Sequence, residues 1–507
     1  MTQKFNATFK STVLVLTLIL FAIFPISNTI ALRNVLLLLL VSSMLLAMVF
    51  TPIVFEYPLR QSLRRMPWPI LFWVSFLMLF PVWAPETSSA WQNLGGQWSE
   101  ALLAGFVGYG AYHLLGRKGP GLLALGFASA APLSLHLFLS IGAMQGLLND
   151  DFYAAPTIAT LWQSLCHPES FQTNPHWTLS NLMNGFRGIE PMHGNLGYPA
   201  CQSICLFCAS FIQALRTRNI FNRAASLLGI ALCFLSILIA QSRGAILYAF
   251  LIMAVSFALS KVRSVSGFGL PVASHKAGVG WRGKVIGLVA LLLLLSITFQ
   301  YIKRDARWYS MADSVEAAYS IQNPTRVLCD GLNSSIQDDI RTRLADRDPK
   351  YVQSVINGLS SDGGRILILR AGFQLMLENP LGLDGSRQSY RKLIKEKCGH
   401  EPIMQFAHSH NSWVDLSLAL GWGGLMAFAC LMMFFLYRGA TGMRSNVEQH
   451  WSMALVLIST FWILRGFADS VYREHYLQMQ FILLMYLLAH RQFVIGAIKP
   501  NGRTTNA

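Results

Sequence analysis

Long apolar runs separated by short polar intervals organise most of this chain. Windows such as 11–26, 35–50, 70–83, 102–115 and 122–141 recur in the first third. They continue at 202–215, 224–240, 245–260, 285–301, 413–437, 452–464 and 476–489. A helix needs about 20 mostly apolar residues to cross the hydrocarbon core, so the pattern predicts twelve spans. One polar interval, 303–412, is far too long to be a turn between the ninth and tenth spans. A second, 142–195, is rich in Pro, Asn, His and Trp and is expected to fold over the membrane surface. The expected fold is an all-α polytopic membrane protein with about 12 transmembrane helices and a large, mostly helical loop. Its divisions are spans one to nine over 1–302, the loop over 303–412, spans ten to twelve over 413–493, and a tail over 494–507.

Inside the long interval the pattern changes to the 3.6-residue period of surface helices. A helix is expected to stop before Pro324, and another to break near Asp348-Pro349. Gly363-Gly364 opens a third, Arg365 to Glu378, whose apolar residues are Ile366, Leu367, Leu369, Phe373 and Leu377. Asn379-Pro380 ends it, since the residue before proline disfavours the helical region. A basic run follows, with Arg387, Arg391, Lys392, Lys395 and Lys397.

Composition agrees with the pattern: 53% of the 507 residues are apolar, 13% are charged, and mean hydropathy is +0.43. That balance excludes an ordinary soluble domain. The net charge of +16 is largely orientation signal. Segments predicted on one side hold 20 Lys and Arg, whereas the short segments on the other hold five: Arg33, Arg187, Arg243, Arg465 and Arg473. By the positive-inside rule both termini are cytoplasmic and the long loop lies outside. Basic patches in such a protein meet membrane lipid rather than nucleic acid. No cleavable signal peptide is evident, so the first helix is expected to stay. Of eight cysteines, five fall in or beside spans as packing residues. Cys166, Cys329 and Cys398 lie in outer loops, and Cys329 with Cys398 is the disulfide to test.

Three places carry candidate chemistry. Arg243, in AQSRGAIL between the seventh and eighth spans, either snorkels to water at a turn or faces a cavity or partner. Its planar fork suits a diphosphate. Arg365, behind a Gly-Gly pair at a helix start, is either a solvated surface cation or part of an anion site. Arg370 reads as an exposed partner of Glu378 or of lipid. His410, in HSHNSWVDL where the tenth span begins, offers an imidazole whose ordinary pKa of about 6.5 leaves it neutral near pH 7. It could equally cap the helix, or with His408 and either His400 or Cys398 form half a metal site, although the usual zinc spacings are missing. Asn411, Ser412 and Asp415 would orient the imidazole or cap the span.

In this order, AQSRGAIL, then GGR…ENPLGLDG, then AHSHNSWVDLSLALGWGG resembles the O-antigen ligase and polymerase superfamily. The motifs cover about 80 residues and the topology most of the chain. The resemblance implies an inverting glycosyltransferase without metal or other cofactor, in the inner membrane with a periplasmic site. It would move O-antigen glycan from undecaprenyl diphosphate to a sugar hydroxyl of lipid A-core. Arg243 and Arg365 would bind the donor diphosphate, and His410 would activate the acceptor, with His408 and Asn411 beside the substrate. LGLDG departs from the more usual GxG, and His408 offers a second imidazole. Polymerisation of repeat units and transfer of glycan to protein are the alternatives within the superfamily; a transporter is the alternative outside it.

Overall fold

The computed structural model of the chain describes residues 2–26, 29–144, 193–240, 242–260, 296, 307–360, 362–443 and 448–498. They are almost wholly helical. In lipid every backbone N–H and C=O must be bonded within the segment, and the apolar runs answer with α1 (Thr2–Ile23), α2 (Ile30–Phe50), α3 (Trp68–Leu79), α4 (Ser99–Leu115) and α5 (Leu122–Met144). After these come α6 (His193–Thr217), α7 (Ile220–Ile239) and α8 (Arg243–Ser260). Every predicted span except the ninth falls on a helix; that one, with the interval 145–192, lies outside the described residues. Among the described residues six helices are long and apolar enough to cross a membrane, with shorter apolar helices beside them.

Among its described residues the long polar interval forms six helices: α9 (Arg307–Ser320), α10 (Pro324–Asp330), α11 (Ser334–Arg343), α12 (Pro349–Gly358), α13 (Asp362–Glu378) and α14 (Ser389–Cys398). Their starts are written in the sequence. Asn323, Asn333 and Asp348 each accept a hydrogen bond from a backbone N–H of the turn they cap, at 3.1, 2.9 and 2.8 Å. Pro324 and Pro349 occupy first-turn positions that need no N–H. Val327, Ile340, Val355, Ile356 and Leu367 form one small core. Ile368, Ala371, Leu375, Tyr390 and Leu393 form another, closed from below by Val414 and Leu418 of the next span. A Cys329–Cys398 disulfide joins the ends of α10 and α14.

Three details of this region differ from the sequence expectation. The buried face of α13 is Leu367, Ile368, Ala371 and Leu375, while Phe373 and Leu377 are exposed. Trp422 of the neighbouring span donates to Met376 O at 3.0 Å on that edge, so those two side chains lie beside the span instead of in the loop core. Arg370 does not pair with Glu378, which Lys397 holds: its Nη1 donates to the Ala318, Tyr319 and Ile321 carbonyls at 3.1, 2.8 and 2.6 Å, closing the open end of α9. The basic run is itself helical, as α14, because Tyr390, Leu393 and Ile394 recur on one buried face.

The chain returns to the bundle as α15 (Ser412–Met443), α16 (Gln449–Ala468) and α17 (Glu474–Ile498). The apolar run of α15 reads as one continuous helix, but it breaks at Gly421, whose φ is +73°. There the Leu381–Gly385 turn docks into the break: Leu383 N and Gly385 N donate to Ala419 O at 3.2 and 2.9 Å, and Trp422 N donates to Pro380 O at 2.9 Å. Gly382 and Gly421 stand backbone against backbone, where a Cβ on either would overlap the other strand of chain. The LGLDG and GWGG motifs are thus two halves of one joint between loop and membrane helix.

Candidate functional site

The segment 399–411 carries His408 and His410 down onto the bundle, and its end is fixed by the helix it precedes. Asn411 Oδ1 accepts from Trp413 N and Val414 N at 3.0 and 3.1 Å, and its Nδ2 donates to Phe467 O. Asn411 is buried and spends its polar atoms on capping α15. Ser409 N donates to Asp415 Oδ1 at 2.8 Å, and Asp415 Oδ2 accepts from Ser470 Oγ. Held from both sides, His410 adopts φ +55°. A left-handed backbone is unfavourable for a residue with a Cβ and persists where its surroundings impose it, often at functional sites.

The two histidines have different work. His410 N donates to His408 Nδ1 at 3.3 Å, and the rings meet edge to face at 4.3 Å. Burial, then the nearby charge of Arg473, pushes the His408 pKa down to about 3. His408 is therefore a neutral acceptor that braces the His410 backbone. His410 instead turns Nδ1 toward Asp469 Oδ1, 3.5 Å away. That is longer than a full hydrogen bond, and Nδ1 is buried without another partner. The side chain as a whole is only part-buried, about 23% exposed.

Asp469 lies in the turn after α16 and is the best-bonded group of the site. Its Oδ2 accepts from the Tyr198 hydroxyl at 2.6 Å and from Arg465 Nη2 at 2.9 Å; Oδ1 accepts from Ser470 N. Burial pushes the carboxyl pKa up, but His410, Arg465 and Tyr198 outweigh it and hold the group well below the usual carboxylate range. Arg465 in turn lies over the rings of Tyr198 and Tyr248, at 4.9 and 5.3 Å. The result is an imidazole set against a fixed carboxylate, the arrangement that orients a histidine and stabilises its charged form.

Cations surround this dyad. Arg473 donates to Ser470 O at 2.8 Å and stands near His408. Arg365, on the first turn of α13, is exposed, makes no hydrogen bond or ion pair among the described residues, and lies close enough for its charge to act on His408. Arg243 opens α8. Its side chain lies outside the described residues, but the next residue, Gly244, abuts Arg465 so closely that a Cβ there would come within 2.6 Å of Nη1. The first turn of α8 therefore meets the Asp469 corner, and sequence-distant Arg365, His408 and His410 gather on the same side of the bundle.

His408, His410 and Asp469 present ligand atoms within 4.8 Å of one another. The metal set considered from sequence does not form: Cys398 is in the disulfide, and His400 leans toward Asp330. In the grouping that does form, His408 Nδ1 is taken by a backbone N–H and the Asp469 charge is matched by Arg465. With Arg473 and Arg365 beside it, the site suits an anion rather than a divalent cation.

Asp469, Arg465, Tyr198 and Arg473 were not singled out in the sequence. Arg465 and Arg473 figured there only as topology charges, and Asp415, the acid nearest in sequence, bonds Ser409 and Ser470 instead of His410. The available signal was LRGFADSVYREH, a short interval between two spans that places Arg and Asp four residues apart.

Residues 228–429 match the family model described as O-antigen ligase. That match supports the O-antigen ligase superfamily. The matched segment runs from α7 through the first half of α15 and contains Arg243, Arg365, His408 and His410. Asp469 and Arg465 lie beyond it, joined to it through space. No curated protein matches the chain.

Proposed function

We infer that this protein is an O-antigen ligase, moving glycan from undecaprenyl diphosphate to a sugar hydroxyl of lipid A-core without a metal ion. The observation that carries the reading is the His410–Asp469 dyad with Arg473 beside it and the exposed Arg365 close enough for its charge to act there. The acceptor hydroxyl loses its proton to His410 Nε2, and its oxygen bonds to the anomeric carbon from the face opposite the donor. The bond from that carbon to the diphosphate oxygen breaks, and undecaprenyl diphosphate leaves with the electron pair. Asp469 stabilises the imidazolium formed, while Arg365, Arg243 and Arg473 meet the charge growing on the diphosphate. An activated diphosphate needs charge stabilisation more than protonation, so one base suffices; such a base is typically worth about 10²–10⁴-fold.

His408 and Asn411 position His410 in this scheme rather than touch substrate. The segments assigned outside by charge counting, namely those holding Arg33, Arg243, Arg465 and Arg473, bring their chain to one end of the bundle, which supports a periplasmic site with both termini cytoplasmic in the inner membrane. Purified protein supplied with lipid-linked donor and lipid A-core in the presence of a chelator is expected to yield capped lipid A-core. Elongation of the carrier-linked chain instead would mark a polymerase, and glycan on protein a protein transferase. Donor moved across the bilayer with no transfer product would contradict the enzymatic reading.

A further inference from the structure

A cavity of about 450 Å³ opens between the start of α2, the segment 89–100, the Asp384–Lys392 turn and the start of α17. It shares Gln97, Ser386 and Arg387 with the small cleft lined by Arg473, Ser470 and Asp415, residues that flank the His410–Asp469 dyad. Its wall is dense in side-chain amides, including Asn34, Asn93, Gln388 and Gln478. Asn34 and Gln478 each spend an N–H on Glu100 and Asn93 one on Asp384 O, which leaves each amide its oxygen and a second N–H, groups of the kind that bond sugar hydroxyls.

The charges of the wall are unequally matched. Lys392 Nζ is taken by Asp384 Oδ2 at 2.6 Å and Glu86 Oε2 at 2.9 Å. Glu100 accepts from Asn34 Nδ2 at 2.9 Å and from Gln478 Nε2. Arg33 is different. It is 4% exposed, its Nη1 donates only to Phe24 O at 3.2 Å, and its Nε is buried with no partner. Glu100 attracts it electrostatically without forming an ion pair among the described residues. A buried guanidinium left with one carbonyl on the wall of a cavity is costly unless an anion completes it.

We propose that this cavity is the acceptor subsite and takes a saccharide bearing an anionic group, phosphate or carboxylate, which Arg33 grips while the amides hold the hydroxyls. The assignment rests on the transfer reaction inferred above for what the sugar does next, but not for its binding. The test is therefore direct binding of phosphorylated, delipidated core oligosaccharide to the His410→Ala protein, where no turnover occurs. It is made with and without Arg33→Gln, Arg33→Lys and Ser89→Trp, the last plugging the cavity from a half-exposed helical position. Arg33→Gln is expected to weaken binding about tenfold or more, Arg33→Lys less, and Ser89→Trp to abolish it. Phosphatase treatment of the sugar should reproduce the Arg33→Gln loss if phosphate is the anion; full retention makes carboxylate the anion. In transfer assays KM for the acceptor should rise while KM for the lipid-linked donor stays put. A rise confined to the donor KM would place the donor diphosphate there and overturn the proposal, as would unchanged sugar binding in both Arg33→Gln and Ser89→Trp. Arg33-dependent sugar binding in a wild-type protein that transfers nothing would leave the subsite standing and remove the ligase reading alone.

Discussion

Two arginines are buried at the same end of the bundle, and their surroundings are opposite. Arg465 has a carboxylate at 2.9 Å, a tyrosine hydroxyl at 3.4 Å and two aromatic faces. Arg33 has one backbone carbonyl and an orphaned Nε. The same side chain is scaffold in one place and a ligand group in the other, and the partners decide which. Around Arg465 everything converges on holding Asp469; around Arg33 the missing partner has to come from outside.

Thermal unfolding in detergent breaks or sharpens this contrast. Arg465→Met strips a buried carboxylate of its counter-charge, and removing one member of such a pair costs about 3–5 kcal/mol; a loss below 1 kcal/mol would show that Asp469 does not depend on it. Arg370→Ala, which unbonds three carbonyls at the end of α9, should cost a smaller amount, on the order of 1–2 kcal/mol. Arg33→Met should be neutral or stabilising in the absence of sugar, because an unpaired buried charge is replaced by an apolar chain of similar reach. A strong destabilisation there would make Arg33 scaffold after all.

His408 adds a pH dependence with a definite sign. Its folded pKa is pushed down to about 3 by burial and then by Arg473, below the ordinary value of about 6.5. Between those values the unfolded chain binds the proton and the folded one does not, so stability falls as pH drops from about 6.5 toward 3. The thermal midpoint of His408→Gln should follow a shallower acid limb than wild type, with transfer weakened rather than lost. An unchanged limb would show that His408 is not the group that must stay neutral.

Much of this architecture was legible in the sequence because it follows from local signals. Apolar length gave the spans that fall among the described residues, Pro324 and Asp348-Pro349 marked helix boundaries in the loop, and Cys329 with Cys398 was the pair that bonded. His410 stood out because a span begins beside it. What escaped required distance: the break at Gly421 is made by a turn 40 residues upstream, and Phe373 and Leu377 look like a core face until the neighbouring span is in place. Asp469 follows His410 by 59 residues, outside every motif, and only packing of α15 against α16 brings it to the imidazole.

We propose that His410 and Asp469 act as one unit, and a double-substitution cycle in the purified transfer reaction is the decisive measurement. His410→Ala should lower kcat about 10²–10⁴-fold, Asp469→Asn should lose nearly as much, and the double variant should be no slower than His410→Ala alone. Losses that multiply, or an Asp469→Asn protein of normal folding and near wild-type rate, would contradict the account.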